Sequence, residues 1–293
     1  MAVMESRKSI IMALTEFGGV GPRTFQQLLL RLGAPENFLG ASSADFEDIP
    51  RLGERGSEKI LRALERVSLF HGKLEEYAEM GIAVTTYLDD DYPVMLRKID
   101  DPPPILFMKG DRGILRHDFV AIVGTTQATQ AGLRMAIDLT RAFVSRGYGV
   151  VSGLATGIDS AAHLGAIKDN GATIAVLGCG IMKIFPAENE LLAENIAGSG
   201  LLVSEYDPYK RVKAMRLILR NRLISAFSKA VIVAQVGMDR RGELRTAQYA
   251  CKQAKPLFFA DPEGNLDRET IEDNKGLLIR GSESIEEILR YMV

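Results

Sequence analysis

Residues 149–159 read Gly-Val-Val-Ser-Gly-Leu-Ala-Thr-Gly-Ile-Asp. The apolar run Gly149–Ser152 shows no polar alternation, which is typical of a strand buried on both faces of a parallel sheet. Gly153 and Gly157 mark a tight turn directly after that run, and a helical stretch follows the turn. The segment therefore predicts a strand-turn-helix unit of an α/β protein.

Five further apolar runs, separated by helical stretches, repeat this pattern along the chain. They are Val120–Val123, Thr173–Leu177, Leu201–Ser204, Val231–Ala234 and Leu257–Ala260. Because crossovers between parallel strands are right-handed, the alternation predicts an α/β protein with a doubly wound, Rossmann-like parallel sheet. Two shorter β-like runs precede it, Gly81–Tyr87 and Ile105–Met108, and the prolines at 102–104 place them at a sheet edge.

Residues 10–72 read as helices joined by glycine turns. Apolar residues recur at helical spacing on both sides of Phe17–Thr24, and a weaker copy of this turn lies at Ile49–Gly53. The pattern resembles a helix-hairpin-helix module, whose main-chain N–H groups can meet a phosphate, but a turn that only packs two helices explains it equally well. We therefore predict a small helical, SAM-like domain over residues 1–72 and a Rossmann-like domain over residues 73–293.

The composition narrows the class of protein. The 293 residues are 46% hydrophobic and 25% charged with a net charge of −2, so a nucleic-acid contact would need a local concentration of Lys and Arg. Two cysteines outside any Cys-x-x-Cys pair, with three histidines, argue against a zinc site or a disulfide framework. Without a signal-peptide or membrane-span pattern, the expected location is the cytoplasm.

Glycines follow nearly every predicted strand, at the edge where an open α/β sheet binds its ligand. They include Gly124, Gly153, Gly157, Gly178 and Gly237. Each glycine can simply make a turn, but so many on one edge favour a pocket in which helix N-termini bind phosphate. Neither the dinucleotide-binding motif G-x-G-x-x-G nor the P-loop motif G-x-x-x-x-G-K-[ST] follows a strand. Their absence disfavours NAD binding and ATP hydrolysis, and no cofactor is expected.

Two sets of residues raise the question of catalysis. Asp159 and His163 are four apart on a predicted helix and could form an acid–base pair, yet a helix cap and a satisfied buried histidine explain them better because no nucleophile accompanies them. Cys179 could be a nucleophile, although a cysteine in such a place is more often a small buried residue. We predict no catalytic residue and no metal ligand.

Basic residues concentrate around the Val231–Ala234 strand. They are Arg211, Lys213, Arg216, Arg220 and Arg222 before it, and Arg240, Arg241 and Arg245 after it. A solvated helix face is one explanation, but the position beside the predicted ligand edge favours a surface that holds a phosphodiester backbone.

The ordered motifs along the chain resemble the DprA/Smf family of DNA-processing proteins. The matching stretches include Asp91-Tyr92-Pro93, Pro102–Phe107, Ala121–Thr125, Val151–Asp159, Ala175–Gly180, Phe185-Pro186, Leu202–Tyr206, Arg220–Ser225 and Gly242-Glu243-Leu244. The resemblance implies a dimeric, non-enzymatic protein with an extended Rossmann-like fold. Such a protein binds single-stranded DNA and loads the RecA recombinase onto it during natural transformation of competent cells.

The nucleic-acid-binding residues expected from the resemblance and from the strand ends lie in five segments. They are Gly124, Thr125, Thr126, Gly153, Leu154, Ala155, Thr156, Gly157, Lys183, Arg220, Asn221, Arg222, Gly242 and Thr246. The C-terminal winged-helix domain of many family members is not expected in this sequence.

Four departures from the family pattern keep a second function open, one of them Asp207-Pro208-Tyr209, which stands where the family usually has Pro-Pro-Gly. Thr126 and Thr156 stand where the family usually has arginine, and Arg241 stands where it usually has serine. A divergent sensor that holds a nucleotide or small phosphate in the same pocket is therefore the alternative. A third class, the nucleoside-monophosphate phosphoribohydrolases, is disfavoured because the sequence lacks their Pro-Gly-Gly-x-Gly-Thr loop.

Overall fold

The structure, a computed structural model, describes residues 2–46, 48–50, 52–237 and 242–292. The chain divides into two compact units, Met1–Phe107 and Met108–Val293. The sequence placed its boundary after residue 72. In the structure, residues 73–107 belong with the N-terminal helices, because the first strand packs against the first and fourth helices.

Among its described residues, the first unit contains five α-helices, one complete strand and the start of a second strand. These elements are α1 (Ala2–Glu16), α2 (Pro22–Leu32), α3 (Gly53–Leu64), α4 (Lys73–Glu79), β1 (Ile82–Thr86), α5 (Val94–Arg97) and β2 (Ile105–Gly110), which runs on into the second unit. Proline at the first position of α2 has the φ that a helix needs, and Gly33 ends the helix at φ +76° with its N–H bonded to the carbonyl of Leu29.

The glycine turn between α1 and α2 is present as the sequence predicts. Gly19 has a φ of +66°, which favours glycine, and Val20 beside it is buried. A phosphate-binding role for this turn stays a prediction. Arg51 of the second, weaker copy lies outside the described residues.

The second unit alternates strands and helices. Its strands are β3 (Phe119–Gly124), β4 (Gly149–Ser152), β5 (Thr173–Leu177), β6 (Leu201–Ser204), β7 (Val231–Gln235), β8 (Leu257–Ala260) and β9 (Leu277–Ile279). Its helices are α6 (Gln130–Val144), α7 (Ile158–Lys168), α8 (Glu190–Ser199), α9 (Ala214–Leu219), α10 (Asn221–Phe227), α11 (Glu243–Lys252), α12 (Arg268–Asp273) and α13 (Ile285–Arg290).

These seven strands form a parallel array in the order β6-β5-β4-β3-β7-β8-β9, which confirms the predicted α/β class and doubly wound sheet. All six predicted strands are present, and four have the predicted bounds. The strand β9 was not predicted, because it has three residues and two of them are exposed.

The core of this unit lies between the sheet and its helices. Phe143 of α6 and Ala162 of α7 are fully buried against Val120, Ile122 and Ile232 of the sheet. Such burial contributes roughly 25 cal/mol per Å² of apolar surface and holds α6 and α7 on one face. Within the described ranges, no helix combines the length and apolar character needed to span a membrane.

The order of the strands reverses at β3. The chain moves outward through β4, β5 and β6, then returns to add β7 on the other side of β3. An open α/β sheet binds ligands beyond the carboxyl ends of its strands near such a reversal. A ligand site is therefore expected at the loops after β3, β4 and β7.

Candidate functional site

A cleft of about 430 Å³ opens at this edge of the sheet. Its lining consists of Val123, Gly124, Thr126, Ala155, Thr156, Asp159, Phe185, Pro186, Leu217, Ile218, Arg220, Asn221, Ile224, Gly242, Glu243 and Thr246. The structure thus brings together residues from all but one of the predicted segments. Those predicted residues are Gly124, Thr126, Ala155, Thr156, Arg220, Asn221, Gly242 and Thr246.

The other predicted residues do not line the cleft. Thr125, Gly153, Leu154 and Gly157 belong to the same loops, and the first three are buried. Lys183 is exposed in the segment after β5, outside the lining. Arg222 is buried away from it, as described below, while Arg240 and Arg241 lie outside the described residues.

The loops after β3 and β4 contact each other through their main chains. Gly157 has a φ of +73°, and a Cβ placed there would lie 2.4 Å from the carbonyl oxygen of Thr125. The N–H of Ile158 donates to that same oxygen at 3.2 Å, and the hydroxyl of Thr156 donates to the carbonyl of Thr126 at 3.4 Å. The two loops therefore form one continuous wall of the cleft, and glycine at 157 is needed for their approach.

The carboxylate of Asp159 fixes the turn after β4. One of its oxygens accepts hydrogen bonds from the N–H groups of Gly153 at 3.1 Å and of Ala155 at 3.3 Å. These two N–H groups are consumed inside the protein, which corrects the expectation that the glycine turn as a whole offers its N–H groups to a phosphate. Among the described residues, the N–H groups of Thr156 and Gly157 meet no acceptor and remain available.

Two further side chains hold the carbonyl groups of the same turn. Asn189 donates from its amide nitrogen to the carbonyl of Leu154 at 2.9 Å, and the hydroxyl of Ser160 donates to the carbonyl of Ala155 at 2.7 Å. Asn189 and Ser160 also bond to each other. Leu154 itself has a φ of +61° with its side chain fully buried. The turn is thus held in one shape before any ligand arrives, which lowers the entropic cost of binding.

The structure gives Asp159 and His163 structural roles. The ring nitrogen Nδ1 of His163 lies 2.8 Å from the hydroxyl of Thr173, and the side chain is fully buried. Burial lowers the pKa of His163 to about 3, so this ring is neutral at neutral pH. Burial raises the pKa of Asp159, an effect that the charge of Arg220 opposes. The sequence predicts that Asp159 caps its own helix, but its carboxylate instead accepts hydrogen bonds from the preceding turn.

Cys179 lies buried after β5, and its exposure is 1%. Burial raises the pKa of its thiol, so the reactive thiolate is disfavoured. This agrees with the interpretation of Cys179 as a small buried residue.

The sequence analysis predicts a basic surface formed by the five arginines and lysines between residues 211 and 222. This prediction is wrong for two of the five, because they are buried. Arg220 and Arg222 are only 7% and 3% exposed, whereas Arg211 and Lys213 are exposed. The physical reason is that the chain forms two short helices, α9 and α10, that meet at Arg220, and every residue of α10 is buried. The guanidinium of Arg216, partly buried, lies over the ring of Tyr206 at 4.8 Å.

Arg222 forms an internal ion pair. Its Nη2 lies 2.5 Å from Oε2 of Glu205, and the two side chains are 3% and 9% exposed. Glu205 directly follows β6, so the pair links α10 to that strand end. This is a correction to the expected contact between Arg222 and DNA, because the charge of Arg222 is neutralised within the protein.

The sequence analysis did not predict the apolar side chains that line the cleft. Phe185 is 45% exposed and Ile218 is 37% exposed, and Leu217 and Ile224 line the cleft beside them. A signal was present, since Phe185-Pro186 was one of the family motifs, but nothing in the sequence placed it opposite the glycine loops.

Comparisons with known proteins identify the family. Residues 83–292 match the family model described as DNA recombination-mediator protein A. Protein Smf of Synechocystis is 34% identical over 259 residues, which cover 86% of this chain and 64% of that protein. DNA processing protein DprA of Bacillus subtilis is 39% identical over 186 residues, which cover 63% of this chain and 62% of that protein. The chain thus matches just under two thirds of the length of these relatives.

Solved structures agree with this assignment. DprA from Streptococcus pneumoniae has the same fold, with a TM-score of 0.76 and 24% identity over 97% of this chain and 96% of that one. DprA from Helicobacter pylori, a structure described for its unique single-stranded DNA binding mode, has a TM-score of 0.63 and 30% identity over 71% of this chain and 95% of that one. Because the family model covers well over half of its residues, the chain belongs to the DNA recombination-mediator protein A (DprA/Smf) family of DNA-processing proteins.

Proposed function

We propose that this chain binds single-stranded DNA in the cleft beyond β3 and β4. The observation that carries the proposal is the cleft itself, in which two glycine loops fixed by buried side chains face an apolar wall at the ligand edge of the sheet. The Helicobacter pylori DprA, similar over 71% of this chain, is described for single-stranded DNA binding. As a homodimer in the cytoplasm, the protein would deliver this DNA to the RecA recombinase during natural transformation, without catalysing a reaction.

The chemistry of the two walls favours a single strand over a duplex. The N–H groups of Thr156 and Gly157 and the exposed hydroxyl of Thr126 can donate to phosphate oxygens. Phe185 and Ile218 offer apolar surface on which unpaired bases can stack, whereas the bases of a duplex are already stacked on each other.

One observation favours the alternative of a sensor for a nucleotide or small phosphate. The cleft has a volume in the range of small-molecule sites, and the wall positions Thr126 and Thr156 carry no charge. Both functions use the same cleft, so a single substitution can separate them.

Thr126→Arg is expected to tighten binding of a short oligo(dT) about fivefold to tenfold, because a long cation at the mouth of the cleft reaches a backbone phosphate. The gain should shrink as the salt concentration rises, since it comes from a charge contact. Binding of oligo(dT) and of AMP is measured by titration on the same variant.

Ser145→Arg is the matched control, because it adds the same charge at the exposed C-terminal end of α6. It should leave the affinity for oligo(dT) near that of the wild type. Unchanged oligo(dT) binding by Thr126→Arg, together with weaker AMP binding, would favour the sensor over the DNA-binding protein.

A further inference from the structure

Arg220 has its hydrogen bonds inside the protein. Its Nη1 donates to the carbonyl oxygens of Gly153 and Val176, which lie at the end of β4 and within β5. Its Nε donates to the side-chain oxygen of Asn221 at 3.1 Å. Two of the three guanidinium nitrogens, Nη1 and Nε, are thus already bound within the protein, so the guanidinium is poorly placed to hold a phosphate with its full fork of donors as well.

The fit between Arg220 and Gly153 is tight. A Cβ on Gly153 would lie 2.3 Å from the central carbon of the Arg220 guanidinium, so a side chain at position 153 would displace the guanidinium from this contact. The N–H of Gly153 donates to Asp159 while its carbonyl accepts from Arg220. One peptide segment of the turn is therefore held from two sides by opposite charges.

Asn221 extends the same arrangement to the next wall. Its amide nitrogen donates to the carbonyl of Gly242 at 3.3 Å, directly before α11 begins. Arg220, Asn221 and Gly242 all line the cleft. The two side chains together tie the turn after β4 to β5 and to the start of α11.

From these contacts we infer that Arg220 is a positioning residue, which holds the turn Gly153–Gly157 in its binding shape without contacting DNA itself. The inference rests on the proposed function, since the ligand that the turn receives is single-stranded DNA. Arg220 thus acts on affinity through Gly153, and the N–H groups of Thr156 and Gly157 make the contact.

The test uses Arg220→Lys and Arg220→Met in the full chain, first without DNA. Hydrogen–deuterium exchange of the peptide spanning residues 153–157 should rise about tenfold or more in both variants, because the carbonyl of Gly153 loses the guanidinium. Exchange in β3 and β7 should stay at the wild-type rate. Arg141→Lys, at an exposed arginine paired with Asp169, is the control and should change neither region.

Binding of oligo(dT) is then measured at several salt concentrations. Both Arg220 variants should bind about tenfold more weakly than the wild type, while the slope of log K against log salt stays at the wild-type value. A direct phosphate contact predicts the reverse: lysine would retain most of the affinity, and methionine would make the slope shallower by about 0.7.

Two results would overturn the inference. One is a shallower slope in Arg220→Met with unchanged exchange at residues 153–157, and the other is faster exchange spread evenly over the whole sheet. If Arg220→Met does not fold, Arg220→Lys alone decides. If the wild type itself binds no oligo(dT), the proposed function fails, and the exchange measurement still decides whether Arg220 holds the turn.

Discussion

Gly157→Ala is expected to lower the free energy of unfolding by about 2–6 kcal/mol, the sum of backbone strain and overpacking. Gly157 has a φ of +73° and a ψ of −124°, a conformation that an L-residue with a side chain rarely adopts. The added methyl group would also lie 2.4 Å from the carbonyl of Thr125 and 2.8 Å from that of Thr126, and neither main-chain atom can rotate away. Urea unfolding followed by circular dichroism measures the loss.

The matched control is Gly147→Ala. Gly147 also has a positive φ, +81°, but a Cβ there meets nothing within 4 Å. Its loss should be limited to the strain of about 1–2 kcal/mol for a left-handed residue. Equal losses in the two variants would show that the loops after β3 and β4 are not in the close contact described above.

Gly157→Ala should also weaken oligo(dT) binding at temperatures where the variant is folded. The methyl group would push the two loops apart and would displace the N–H groups of Thr156 and Gly157, which meet no acceptor among the described residues.

Arg222→Ala is expected to cost about 3–5 kcal/mol of stability, because it leaves the carboxylate of Glu205 buried without its partner. This loss of stability comes from leaving a charge buried without a partner, and it does not measure the attraction between the two groups. The double variant Arg222→Met with Glu205→Leu removes both charges and should recover most of the lost stability. Thermal melting of the three proteins measures this series.

An exposed ion pair provides the comparison. Arg268 and Glu272 have the same chemistry in α12, but their side chains are 90% and 62% exposed. Arg268→Ala should therefore change stability by no more than a few tenths of a kcal/mol. A small effect of Arg222→Ala, similar to that of Arg268→Ala, would mean that Arg222 is not buried. Arg222 would then again be a candidate for contact with DNA.

Six strands of the second unit could be predicted because they are largely continuous apolar runs, and four of these runs are followed by a glycine, at Gly124, Gly153, Gly178 and Gly237. Four of the six predicted runs have the bounds seen in the structure, and the order of the motifs identified the family. The strand β9 carries no such signal, since Leu277 and Leu278 are exposed at the edge of the sheet.

The roles of the arginines could not be predicted for a different reason. A helical wheel drawn through Arg216, Arg220 and Arg222 assumes one continuous helix, but the chain starts a new, buried helix at Asn221. The partners of the buried guanidinium groups, the carbonyl of Gly153 and the carboxylate of Glu205, lie 67 and 17 residues away along the chain. The order of the strands brings these partners together, and the positions of charged residues in the sequence do not specify that order.

Asp159 illustrates the same limit on a smaller scale. The sequence indicates a carboxylate in the first turn of a helix, where it ordinarily caps that helix. In the structure its oxygen instead binds the N–H groups of Gly153 and Ala155 before the helix begins. The difference matters for function, because it removes two donors from the ligand and fixes the shape of the turn.

The most direct test of the account is the binding of the wild-type protein to labelled oligo(dT) and to a duplex of equal length, measured by fluorescence anisotropy over a range of salt concentrations. We expect the single strand to bind more tightly, with log K falling linearly against log salt by a slope of about 0.7 for each phosphate contacted. A binding constant that does not change with salt, or a clear preference for the duplex, would contradict single-stranded DNA binding in this cleft.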